Sequence, residues 1–213
     1  MNLAVERGRE APLCECKSLL RVDLKGCTKL TSVGNAAFAY CTSLTSVVLP
    51  DSLTQLGEYA FLKCSSLVSV VLPGSLTQLG DAAFSLCTSL TSVVLPDSLT
   101  QLGEHAFLEC SSLTSVVLPD SLTQICKAAF GGCTSLTSVV LPDSFTEIGK
   151  WAFARCPSLT FVVMPDSAEL GDEVFYDCDA LLQKADLAGF DSVELYLRDR
   201  YISITLRKLV LRL

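Results

Sequence analysis

The chain has 213 residues, half of them hydrophobic, with a mean hydropathy of +0.46 and a formal net charge of −7. That acidity excludes a nucleic-acid partner, because phosphate binding needs a clustered excess of Lys and Arg. Ser, Thr, Asp or Gly interrupts every apolar run before the roughly 18 residues of a membrane helix, so the chain is not transmembrane and must hide its apolar surface in a core.

From the N-terminus, "MNLAVERGREAPLCEC" has no apolar stretch of the secretory kind, and its glutamates argue against a transit peptide. An intracellular location is therefore expected, in the cytoplasm or an organelle interior. Residues 1–40 are expected to form an N-terminal cap with an irregular first repeat, visible in "CKSLLRVDL" and "GNAAFAYC".

A strict period then begins. Cys41, Cys64, Cys87, Cys110, Cys133 and Cys156 are 23 residues apart, and Cys178 follows after 22. A fixed period of this length signals a solenoid, here over residues 41–178. Within one unit Leu44, Val47 and Leu49 have the spacing of a short strand with alternate side chains inward. Pro50 ends that strand, Leu53 and Leu56 point inward along an extended return, and Gly57 opens a short helical or turn segment that buries Ala60, Phe61 and Cys64. One such turn cannot stand alone: about seven buried side chains contribute roughly 10 to 20 kcal/mol, against roughly 35 kcal/mol for ordering its residues. The expected fold is an α/β solenoid, a right-handed leucine-rich repeat with a parallel β-sheet on one face and short helical or turn segments on the other.

"GEYAFLKCSSLVSVVLP" and its copies resemble the BspA-type leucine-rich repeats over about residues 16–181. The resemblance implies surface adhesion and host-protein binding, as in some bacterial and protozoan members, and it brings no catalytic motif.

The cysteine column sits beside Phe, Ala and Leu, which is where a small apolar side chain packs, so buried reduced thiols are expected. Cys14, Cys16 and Cys27 lack a fourth convergent ligand for a tetrahedral metal site, and no metal or cofactor is expected. Cys126 stands where other turns carry Gly57, Gly80, Gly103, Gly149 and Gly171. Either that position needs a positive φ and strains Cys126, or the turn tolerates it. His105, the only histidine, has no positioned partner for acid–base work, so the chain is not expected to be an enzyme.

Two surfaces remain. The strand face presents Ser46, Val48 and their copies, nearly invariant from turn to turn, with Phe161 as its one large irregularity. The turn segment varies: Tyr59, His105 and Trp151 alternate with Ala82 and Ala128, with Lys63, Glu109 and Arg155 nearby. Aromatic and Arg side chains commonly anchor interfaces. The expectation is a non-catalytic protein-interaction or scaffold module, a subunit of a larger assembly. The alternative is a secreted or cell-surface adhesin, and a remote one is ice or ordered-surface binding by ladders such as Ser52/Thr54 and Ser75/Thr77. Against the ladder reading, those hydroxyls are expected to bond the backbone of their own turns.

Residues 179–213 close the chain as a cap or basic amphipathic segment. Over residues 193–213, Arg198, Arg200, Arg207, Lys208 and Arg212 oppose Glu194 and Asp199, a balance of +3 that leaves −10 for the rest. Val193, Leu197, Ile204 and Leu211 make a helical stripe, although Ile202, Ile204 and Leu206 also alternate as a strand would. The segment either covers the last open slab or attaches the protein to an acidic partner or a membrane surface. The candidate partner-binding residues are Tyr59, His105, Trp151, Arg155 and Phe161, with Arg198, Arg200, Arg207, Lys208 and Arg212.

Overall fold

The computed structural model describes residues 13–199. Every turn opens with a three-residue strand, and seven of these stack in chain order into one parallel sheet, from Arg21–Asp23 through Ser46–Val48 to Phe161–Val163. Ser46 pairs with Ser69 and Val47 with Val70, so the 23-residue period is also the register of the sheet. Val47, Val70, Val93, Val116, Val139 and Val162 point into the core, and the residues flanking them point out. The expected solenoid is what the chain forms.

The return segments also pair, which the expectation of a plain extended stretch did not include. Gln55–Leu56 joins a four-stranded ladder from Ser32–Val33 to Gln101–Leu102, and Gln124–Ile125, Glu147–Ile148 and Glu169–Leu170 form a separate three-stranded one. The two ladders part at Cys126. The glycine column explains why. Its N–H groups donate to the preceding turn, as Gly80 does to Leu56 and Gly103 to Leu79, at 2.9 and 2.8 Å. A Cβ on Gly80 would lie 2.5 Å from the Gly57 carbonyl carbon. None of these five glycines has a positive φ, so the glycine is required by close approach and not by backbone handedness. Cys126 carries the Cβ, and the ladder opens there.

Positive φ falls elsewhere, on Tyr59, His105 and Trp151 (59°, 57° and 59°) and on Lys63, Glu109 and Arg155. The left-handed region costs a non-glycine residue roughly 1–2 kcal/mol. Inter-turn bonding compensates: Tyr59, Phe61 and Lys63 donate to the carbonyls of Asp81, Ala83 and Ser85, each at 2.8 Å. The segment from Gly57 to Cys64 is a run of turns and holds no helix.

Two side-chain ladders run side by side through the core, among columns of leucine, valine and alanine. Phe38, Phe61, Phe84, Phe107, Phe130, Phe153 and Phe175 stack within 9° of parallel, their centroids 5.1 Å apart at the first pair and 6.0 Å at the last. Paired strands sit ~4.8 Å apart, so the turns fan open on the phenylalanine side and the strand sheet lines the inside of the bend. Beside this stack the column thiols are buried, and from Cys64 to Cys178 each donates to the phenylalanine carbonyl of the preceding turn, as Cys87 does to Phe61 at 3.2 Å, while Cys41 donates to the Leu13 carbonyl. Cysteine is therefore more than a small apolar filler in this column: its S–H satisfies a carbonyl that alanine would leave to one partner.

The hydroxyls act likewise. Ser75 donates to the Leu53 carbonyl at 2.6 Å and Thr77 to the Thr54 carbonyl at 3.1 Å. The expectation that they bond their own turn is corrected: they strut one turn against the one before. Their protons are committed to this purpose.

At the C-terminal end of the described residues, cations supply such donors. Lys184, on the helix α1 (Asp179–Leu187), donates to the Thr160 carbonyl at 2.9 Å. Arg198 donates to the Asp166 and Ala168 carbonyls at 2.6 and 3.3 Å. Residues 193–199 are helical, with Val193, Tyr196 and Leu197 buried together with Leu181 and Ala185 of α1. The described part of the tail thus covers the last slab.

Candidate protein-binding cleft

Side chains leave the turn face at three neighbouring positions in each repeat. One turn offers His105, Leu108 and Glu109 there, and the turn two further on offers Trp151, Ala154 and Arg155. Between them the same positions hold Ala128, Gly131 and Gly132. The missing side chains leave a cleft of about 440 Å³. Ala128 and the two glycines floor it. Leu108, Trp151 and Tyr176 wall it, and Glu109, Arg155 and Glu173 stand at its rim.

The indole of Trp151 is held in place. Its Nε1 donates to a Glu173 carboxylate oxygen, the Lys150 ammonium lies 4.4 Å from the ring centroid and that of Lys127 5.7 Å. Lys150 also pairs with Asp172 at 3.4 Å. Glu109 and Arg155 make no side-chain hydrogen bond or ion pair among the described residues. The cleft therefore offers a shaped apolar trough and two uncommitted opposite charges.

Of the candidates chosen from sequence, Trp151 and Arg155 come together in this cleft. Tyr59 and His105 occupy the same column as Trp151 but lie outside the lining. Phe161 sits on the strand sheet, 39% exposed, at the end of the column of Ser115 and Ser138 and beside a stripe in which Val71, Val94, Val117 and Val140 are 54–78% exposed. Arg198 is engaged with the carbonyls of Asp166 and Ala168. Arg200, Arg207, Lys208 and Arg212 lie outside the described residues. Leu108, Gly131, Gly132 and Tyr176 were not singled out from the sequence, although "AFGGC" among "AFLKC", "AFSLC", "AFLEC" and "AFARC" does signal the loss of two side chains. Among the described residues no three His, Cys, Asp or Glu are placed to hold a metal ion, and no helix is long and apolar enough to cross a membrane.

A family model for the BspA type leucine rich repeat region, in 6 copies, matches residues 13–116 and 61–182. The chain belongs to the BspA-type leucine-rich repeat family. BspA-type repeats support a role in protein binding or adhesion and are typically non-catalytic. Among solved structures, the chain resembles the leucine-rich repeat protein of T. pallidum at 34% identity and a TM-score of 0.70, over 76% of this chain and 78% of that one. A leucine-rich repeat protein from Bacteroides ovatus matches at 25% identity and a TM-score of 0.57, over 78% of this chain and 55% of that one. A leucine rich cell surface protein from Faecalibacterium prausnitzii matches at 25% and 0.51, over 78% of this chain and 59% of that one. This BspA-type chain thus spans little more than half the length of the last two. Among curated proteins nothing matches it.

Proposed function

We propose that this BspA-type repeat is a non-catalytic protein-binding module that docks its partner on the turn face, at the cleft beside Trp151. The observation that carries this reading is the coincidence of a gap at Ala128, Gly131 and Gly132 with an anchored indole and an uncommitted guanidinium. Preformed troughs with aromatic and Arg walls are where interface energy concentrates. The strand face varies too little from turn to turn to select one partner.

The reading is tested by capture of partners from the source organism's extract. The blocked variant is Ala128→Tyr with Gly132→Lys, which writes into this turn the residues that Tyr59 and Lys63 supply at the same backbone angles. The expected result is a protein retained by wild type and by a Val94→Lys, Val117→Lys variant, and lost by the blocked one. Loss from the valine variant alone would move binding to the strand sheet and overturn the reading.

For the compartment we propose the cell interior. Eleven free cysteines, with Cys27 exposed and Cys14, Cys16 and Cys126 partly so, suit a reducing environment. A cell-surface adhesin is the second reading, favoured by the F. prausnitzii neighbour described as a cell surface protein. Thiol titration after denaturation without reductant is expected to find nearly all eleven free. Recovery of only one or two would favour the adhesin.

A further inference from the structure

Glu109 and Arg155 occupy the same repeat position two turns apart, with Gly132 between them and no side chain there to separate them from the trough. The phenylalanines beneath these three turns are 5.4 and 5.6 Å apart, which sets the roots of the two charged side chains about 11 Å apart along the solenoid axis. Both are exposed, and neither is paired among the described residues, whereas the other charges close to Trp151 are engaged: Asp172 with Lys150, Glu173 with the indole, and both lysines over the ring. A carboxylate and a guanidinium thus bracket an apolar trough walled by Leu108, Trp151 and Tyr176.

We infer that the cleft takes an extended segment of a partner protein in which one large apolar side chain lies between a basic residue and an acidic one three positions away. Resting on the docking reading above, this names the chemistry of the occupant. An extended chain advances ~3.4 Å per residue, so three steps cover ~10 Å and match the bracket. The apolar side chain fills the space that Gly131 and Gly132 leave, the basic residue faces Glu109 and the acidic one faces Arg155. A segment with two like charges meets one repulsive end whichever way it runs.

Trp151 is the chain's one tryptophan, so its fluorescence reports occupancy of this cleft. The probe is the capped peptide Gly-Ser-Lys-Phe-Ser-Glu-Ser-Gly, titrated against the full chain. Its comparators replace Lys by Glu, Glu by Lys, or Phe by Gly. The expected result is saturable change in Trp151 emission at sub-millimolar peptide, at least fivefold weaker binding of either like-charged peptide and at least tenfold weaker binding of the peptide lacking Phe. Glu109→Lys should transfer the preference to the peptide with two acids, and the blocked variant should bind none.

Equal affinity for all charge patterns, or no emission change with any peptide, overturns the bracket. If a protein is nonetheless captured in the cleft-dependent way described above, the docking reading stands without it. A mixed-charge preference that survives in the blocked variant places binding outside the cleft and overturns both.

Discussion

Raising the pH from about 9 to about 11 is expected to unfold the protein in one steep step driven by the cysteine column. Cys64, Cys87, Cys110, Cys133, Cys156 and Cys178 lie in the core, and burial raises each thiol above its ordinary value of 9.0. Cys87 and Cys133 are pushed up to about 12 and Cys178 to about 11. An unfolded thiol ionises near its ordinary value while the folded one stays neutral. The stabilisation is therefore complete below about pH 9 and is lost as pH rises towards the folded-state values. In that window each thiol removes ~1.4 kcal/mol per pH unit, and six acting together remove ~8 kcal/mol per unit, comparable to a domain's whole stability. Circular dichroism should be lost together with ionisation of the column thiols, with a midpoint near pH ~10. Replacing Cys87 and Cys133 by alanine should lower stability at neutral pH and make the alkaline step shallower by about a third, since two of the six titrating thiols are gone. Ionisation of the six column thiols in a protein that retains its dichroism would sink the explanation.

The second large effect is expected at the glycine column. In a Gly103→Ala variant the new Cβ meets the Asp81 nitrogen and the Gly80 carbonyl carbon at 2.5 Å, both of them backbone atoms that cannot rotate away. The turn must shift and give up inter-turn hydrogen bonds worth ~1 kcal/mol each on top of the overpacking. A loss of ~3 kcal/mol follows, which is a fall in Tm of roughly 6–12 °C for a chain of this size. The reciprocal change, Cys126→Gly, removes the Cβ where the two return ladders part. It is expected to join them and raise stability by ~1 kcal/mol, the new bonds being partly offset by the backbone entropy of glycine. Thermal unfolding measures both, and slower amide exchange at Thr123 would show the mended ladder directly. If Gly103→Ala melted with wild type, close approach would not be the reason for the column.

The period, the strand positions and the buried Leu, Phe and Cys columns were legible in the sequence because one physical requirement, an inward side chain at every turn, repeats with it. What lies between turns was not. The proton of Ser75 could go to its own turn or to Leu53, and only the stacked geometry decides. Positive φ at Tyr59, His105 and Trp151 was hidden because the left-handed region ordinarily selects glycine or asparagine, whereas here inter-turn bonds hold aromatic residues in it. The return ladders, two residues per strand, carry no alternation long enough to distinguish them from a loop. The cleft was half legible. Trp151 and Arg155 stood out as side chains, while Gly131 and Gly132 contribute by having none, and an absence on one face of a turn makes no motif.

Each interior turn meets its neighbours through bonds at repeating offsets, 22 residues for Ser75, 23 for Thr77 and 26 for Cys87. A gene encoding such near-identical stretches can mispair with itself, and unequal exchange then removes or duplicates one whole turn with these offsets intact. Loss of the turn around Cys87 would bring together two turns with the same glycine and cysteine columns and leave the solenoid one step shorter. Loss of residues 124–146 would differ in kind, for that single stretch carries Cys126, Ala128, Gly131 and Gly132. One such event would erase the cleft and, by setting Gly149 against Gly103, make the return ladder continuous. Exchange of a regular turn changes the length of the solenoid and keeps its columns, whereas loss of that one turn also removes the cleft.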